Sequence, residues 1–377
     1  MAGIYVHIPF CGQRCIYCDF YSTVGLRHLA DDYISALLNE AKLRAHELDC
    51  GKVRTVYVGG GTPSTLTVGQ WQRLVEGLGE IFTLNDIVEF TVEVNPDDVT
   101  PAYIEHLRRM GVNRVSMGMQ SLVDSELRFI NRRHTASQAV AAVRCLQEVG
   151  IENVSIDLIY GLPNQTLSSW RYSVECALAL GVQHISAYNL SFEPGTRLWR
   201  MRELGDVKEA DDDLCVAMYQ ALIQMLEDAN FEHYEISNFA QPGYHSRHNS
   251  AYWDGTPYLG LGASAHSYDG VLRRYNPGDI RGYIQSLSAG KTVTVTEQSQ
   301  WWERYDEMVM VRLRTARGLD VQDVEEKFGE KVSQHLMREA GRHLQSGLLR
   351  QSGHRIMLTA QGVMMSDAVI RDLMWEE

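Results

Sequence analysis

The chain has 377 residues, 45% of them hydrophobic and 22% charged, which is enough apolar material for one large core and a smaller appended domain. Its formal net charge of −13 argues against general nucleic-acid binding, which runs on neutralised phosphates. No apolar run approaches the roughly 20 residues that cross a bilayer, and the opening run at 4–8 is too short for a secretory signal. A cytoplasmic address is expected.

In chain order, β-rich runs at 3–8, 54–58, 88–94, 114–118, 153–159 and 184–190 alternate with helical periodicity at 31–48, 68–81, 101–110, 136–149 and 167–180. Pro101 behind Thr100 suits a first helical turn, and Gly111 and Gly150 suit the residue after a last one. Strand–helix alternation predicts parallel strands joined by right-handed crossovers. Six units fall short of the eight in a closed barrel, so the expected fold class is α/β, a partial (β/α)6 barrel. A further strand is expected at 231–240, followed by a Gly-, Tyr- and Asn-rich stretch over 241–279. Helical patterns at 302–315, 321–328, 331–347 and 359–374, with a short strand at 355–358, suggest a mainly helical, winged-helix-like C-terminal domain. That domain lacks the basic surplus of a DNA binder. The division expected is 1–230 for the barrel, 231–296 for a connecting segment and 297–377 for the helical domain.

Seven cysteines in a chain without an export signal argue against a disulfide framework. Cys50, Cys145, Cys176 and Cys215 stand alone and read as buried thiols. Cys11, Cys15 and Cys18 form Cys-x3-Cys-x2-Cys among Gly12, Gln13 and Arg14, a loop composition rather than an apolar face. Three thiolates on one loop can each hold one iron of a cubane and leave a fourth iron open. Structural zinc wants four ligands, for which His7 is the only near candidate. A zinc-stabilised binding module is therefore the remote alternative.

Ligand-binding groups in α/β barrels gather at the carboxyl ends of strands. Reading that position off each unit yields Gly59-Gly60-Gly61-Thr62, then Glu93, Gln120 and Asp157, with Arg132 nearby. Each of the three acidic or amide side chains interrupts an apolar run, and three at equivalent places suggest one pocket. Further on, His248-Asn249-Ser250-Ala251-Tyr252-Trp253 combines an imidazole with flanking aromatics, a set able to meet a porphyrin, with Arg247 near enough for a propionate. His245 and His266 are substitutes for His248 as an iron ligand.

The cysteine spacing, with Tyr17 just before Cys18, resembles the radical S-adenosylmethionine (SAM) signature. That resemblance implies a [4Fe–4S] cluster on Cys11, Cys15 and Cys18, whose open iron chelates SAM and whose electron, from an external donor, cleaves it. The intervals between motifs are similar to the coproporphyrinogen dehydrogenase branch, which implies a SAM site at Tyr5, Gly60, Gly61, Thr62, Glu93, Gln120, Arg132 and Asp157, with Tyr17 against the adenine. Two activities compete within that branch. Oxygen-independent coproporphyrinogen III dehydrogenases carry a fourth cysteine two residues after the third and an N-terminal extension. Here Phe20 stands at the cysteine position, and the chain starting four residues before Tyr5 is expected to lack the extension. The HemW-type haem chaperones carry a His-Asn-x-x-Tyr-Trp signature, which 248–253 resembles. The expectation is a haem chaperone with haem as cargo, haem-accepting clients (respiratory proteins among them), membrane contact only through clients, and room for a homodimer. Residues His248, Asn249, Tyr252 and Trp253 form the expected haem site.

Overall fold

The computed structural model describes residues 2–48 and 52–375. Cys50 lies outside these, while Cys145, Cys176 and Cys215 are free thiols only partly buried, less enclosed than their sequence surroundings suggest.

Six parallel strands form the centre: β1 (Ala2–Ile8), β2 (Val53–Gly60), β3 (Glu89–Val94), β4 (Arg114–Gln120), β5 (Asn153–Tyr160) and β6 (His184–Asn189). Their alternation decides the fold. On one face Ile4, Val6, Ile8, Val56, Val58, Val92, Val115, Met117, Val154 and Ile156 join a single buried core with the covering helices. On the other face the register aligns Tyr5, Tyr57, Thr91, Arg114 and Asn153 in one row, and Glu93, Ser116, Ser155 and His184 in the next. The barrel interior is thus mainly polar, unlike the branched apolar filling of a closed (β/α)8 barrel. Such a lumen is built to be solvated or to hold a ligand.

The crossovers are capped as strand–helix units require. Thr67, Thr135 and Thr166 each accept a hydrogen bond from the backbone three residues on, in reciprocal capping boxes. Helices Arg197–Glu203 and Asp212–Asp228 follow β6, the second capped by Asp211. Periodicity marked no element there.

The stretch expected to connect the two domains is instead woven into the sheet. β7 (Glu232–Glu235) and β8 (Asn238–Ala240) form a hairpin, and β8 runs antiparallel to β6. β9 (Tyr258–Leu261) pairs parallel with the free side of β1, followed by the antiparallel β10 (His266–Tyr268), β11 (Arg273–Tyr275) and β12 (Val295–Thr296). The result is one twelve-stranded sheet. A buried ion pair pins the added strands: Arg44 bonds Glu40 at 2.7 Å and reaches Ser267 at 2.9 Å, while Asn276 and Tyr283 also donate to Glu40.

The C-terminal part has its own core around Tyr305, Val309, Leu336, Ile356 and Leu373. Helices Trp301–Leu313, Val321–Phe328 and Glu330–Gln345 pack with a small antiparallel sheet of β13 (Leu319–Asp320), β14 (Leu349–Ser352) and β15 (Arg355–Leu358), with β15 in the middle and β13 lying between the first two helices in the chain. It docks beside the helix Arg247–Asp254, where Arg312 donates to the Asp254 carbonyl at 2.7 Å. Among the described residues, no helix is long and apolar enough to cross a membrane.

Candidate functional site

The loop after β1 is held from both sides. Thr23 and Cys11 are joined backbone to backbone at 2.8 Å, and Gly61 and Thr62 donate to Ile8 and Phe10. A Cβ on Gly61 would stand 2.8 Å from the Pro9 carbonyl carbon, so only glycine lets the end of β2 approach so closely. From the opposite side Gln13 donates to the Asn131 carbonyl at 3.0 Å and Asn131 to the Arg14 carbonyl at 2.9 Å. Asn131 adopts a positive φ of 62°, which turns the chain so that Arg132 points inward.

Arg132 links the loop to the strand ends. Its guanidinium donates to Cys15 Sγ at 3.5 Å, to Asn95 Oδ1 at 2.9 Å and to the Gly118 carbonyl. Thr62 Oγ1 donates to Cys11 Sγ at 3.5 Å. Burial pushes the Cys11 thiol up and the Cys18 thiol up to about 11, so neither ionises readily without a cation beside it. Among the described residues, no three His, Cys, Asp or Glu side chains converge on one point as a single ion requires. Cys11, Cys15 and Cys18 face one cavity, and three thiolates on one loop fit a cubane, which takes each at a separate corner.

Below the loop lies a cavity of about 380 Å³. Its walls include Cys11, Cys15, Tyr17, Cys18, Gly60, Gly61, Thr62, Glu93, Gln120, Arg132 and Asp157, so the strand-end residues read from the sequence share one space. Phe20, 65% exposed, sits at its rim. Tyr5 is not in that wall. It lies a row deeper, hydrogen-bonded to His7 at 3.0 Å and facing Tyr57. The sequence reading omitted Tyr57, Asn95, Ser116, Ser186 and Tyr188, which also line the cavity. Inward alternation along β2 to β6 was the signal that would have found them.

Two carboxyls dominate the electrostatics. Glu93 accepts from Tyr57 at 2.7 Å and from the Gly60 backbone at 3.0 Å, yet burial pushes its pKa up to about 7. Asp157 accepts from Ser116 at 3.3 Å and is pushed up to about 6, again by burial. Gln120 sits at a positive φ of 69° where β4 slips register against β5, and that kink aims its amide across the cavity mouth.

The His-Asn-x-x-Tyr-Trp segment forms the helix Arg247–Asp254, whose N-terminus is capped by Glu89 from β3 through the N–H groups of Arg247 at 2.8 Å and His248 at 2.9 Å. His248 is only 1% exposed. Its ring stacks on Tyr57 and bonds Thr55 Oγ1 and Tyr252 OH, both at 2.9 Å. With both nitrogens engaged inside the barrel, His248 is held as a buried plug in this conformation. Asn249 does reach the cavity wall, Tyr252 is bound to His248, and Trp253 is half-buried outside that wall. Of the substitutes, His245 pairs with Glu232 at 2.7 Å, and His266 carries an exposed ring stacked on Tyr275.

Comparison with known proteins gives a consistent picture. The radical SAM superfamily model matches residues 5–177 and the HemN C-terminal domain model residues 301–365. The haem chaperone HemW of Mycobacterium tuberculosis (strain H37Rv) is 37% identical over 99% of this chain and 94% of its own. That of Bacillus subtilis (strain 168) is 32% identical over 98% of both. Among solved structures, the radical SAM enzyme coproporphyrinogen III oxidase (HemN) of Escherichia coli superposes with a TM-score of 0.84 at 26% identity, covering 99% of this chain and 89% of that one.

Proposed function

The chain belongs to the HemW family of the radical SAM superfamily, and on that premise we propose that it is a haem chaperone: it binds haem and delivers it to haem-requiring proteins. The full-length likeness to the HemW chaperones carries this reading. Phe20 at the rim supports it, because a thiol expected there in the dehydrogenases is replaced by an exposed aromatic ring. The likeness of fold to HemN keeps coproporphyrinogen III decarboxylation as the second reading.

In this proposal Cys11, Cys15 and Cys18 hold a [4Fe–4S] cluster, and the cavity beneath takes SAM. The cluster and SAM, once bound, supply one-electron chemistry fed by an external donor. The remaining work belongs to the protein. Gly60 and Gly61 bring backbone close to the methionine end, while Glu93 and Asp157 offer carboxylates to its ammonium and to the ribose. Arg132 ties the cluster loop to that floor. A cavity of about 380 Å³ is sized for one ligand of this class, so haem is placed outside it, where His266 offers an exposed imidazole. Respiratory proteins are the proposed clients.

The raised carboxyl groups make SAM binding pH-dependent. A folded pKa above the unfolded one means that acid stabilises the ligand-free fold and that this contribution is lost as pH rises through about 7 for Glu93. Binding of a cationic ligand runs the other way. Affinity for SAM, measured by anaerobic titration, is expected to fall on the order of tenfold from pH 8 to pH 6, and Glu93→Gln should flatten the profile while lowering affinity overall. A flat wild-type profile would remove Glu93 from the site.

The function itself is tested by offering haem and coproporphyrinogen III to separate aliquots of reconstituted protein. Haem uptake without decarboxylation is the expected outcome.

A further inference from the structure

The floor of the barrel carries a buried guanidinium, two of whose nitrogens meet no hydrogen-bond acceptor among the described residues. Arg114, at the start of β4, is 1% exposed, and among the described residues no group accepts from its Nε or Nη1. A guanidinium does not deprotonate to escape burial. It keeps its charge and requires a counter-charge or a set of acceptors.

The candidates around it are already committed. Glu89 spends both carboxylate oxygens on the N-terminus of the helix Arg247–Asp254. His184 bonds Ser155 and Tyr234, both at 2.7 Å, and His248 bonds Thr55 and Tyr252. Glu93 and Asp157 lie toward the cavity and feel Arg114 only through space, without a hydrogen bond to it. None of these groups hydrogen-bonds the guanidinium, and its Nε and Nη1 have no partner among the described residues.

The register adds a second observation. Thr91 on β3 and Asn153 on β5 are the direct neighbours of Arg114 in the sheet. Both also carry an unpartnered buried atom, Thr91 Oγ1 and Asn153 Oδ1, and Thr91 is 0% exposed. An amide oxygen and nitrogen are interchangeable on hydrogen-bond grounds. Turned over, Asn153 presents donors to the same space. Three adjacent strands, about 4.8 Å apart, then direct a cation, a hydroxyl and an amide N–H at one place.

We propose that this row is a binding site for a small monovalent anion, the size of chloride or formate, held by Arg114 with Thr91 and Asn153. It is distinct from the cavity under the cysteine loop and is independent of haem. An anion there offsets the Arg114 charge that Glu93 and Asp157 feel through space.

Bromide and formate are the probes. Crystals of the full chain grown in bromide should show an anomalous peak within hydrogen-bonding distance of Arg114. In solution, formate titrated at constant ionic strength against sulfate should raise the melting temperature saturably, by about 3 °C at a hundredfold excess over its Kd. Arg114→Met should abolish that rise, and Arg114→Lys should retain part of it. No bromide peak together with a flat wild-type titration overturns the proposal in favour of water alone, as does an equal rise in Arg114→Met. If Arg114→Met does not fold, the bromide peak and the Lys variant still decide.

Discussion

Replacing Cys15 by alanine is expected to abolish cluster assembly, leaving less than about a tenth of the wild-type iron and visible absorption after anaerobic reconstitution. The cubane reading gives each thiolate its own iron corner, so losing one leaves two irons without a protein ligand. The fold should survive the change. The loop backbone is held by Thr23, Asn131 and Gly61 rather than by the sulfurs. The ligand-free melting point should therefore shift little, within about 0.5 kcal/mol of stability. Arg132 loses only one of three partners. A variant that reconstitutes as well as wild type would defeat the cluster assignment.

The second large effect concerns His248, and it falls on stability. His248→Ala should cost about 2–4 kcal/mol in denaturant unfolding, because it removes a ring stacked on Tyr57 and leaves the hydroxyls of Thr55 and Tyr252 without their buried partner. Haem affinity of the folded fraction should stay within about twofold. His266→Ala is the paired comparison, since its ring is exposed and its loss should leave stability nearly unchanged. A stable His248→Ala protein with tenfold weaker haem binding would return His248 to the role of ligand.

The two sites differed in how far the sequence exposed them. Glu93, Gln120 and Asp157 were legible because each is a polar residue at the carboxyl end of an apolar strand, and strand ends in such barrels share a mouth. The cysteine spacing was legible for the same reason of locality: three ligands within eight residues need no tertiary information. His248 was not legible. Its residue type suits iron, but its orientation depends on Thr55, Tyr57 and Glu89, which are more than 150 positions away in the chain. Strands β9 to β12 escaped for a related reason. They are two to four residues long, too short for alternation to register, and β9 is specified by pairing with β1 from the far end of the chain. The helix Asp212–Asp228, by contrast, had a readable cap in Asp211 and apolar residues at Met218, Leu222 and Leu226. Arg114 shows the limit of reading strand ends: it sits at a strand start, where the barrel floor closes.

The measurement that bears most directly on the function pairs the two competing substrates of the fold. Reconstituted protein with SAM and a reductant is given coproporphyrinogen III in one vessel and haem in another, with carbon dioxide release, haem uptake and passage of haem to an apo-protein acceptor followed together. A chaperone takes up haem stoichiometrically, passes it to the acceptor and releases no carbon dioxide from the porphyrinogen. Sustained decarboxylation, with haem neither retained nor passed on, would contradict the account.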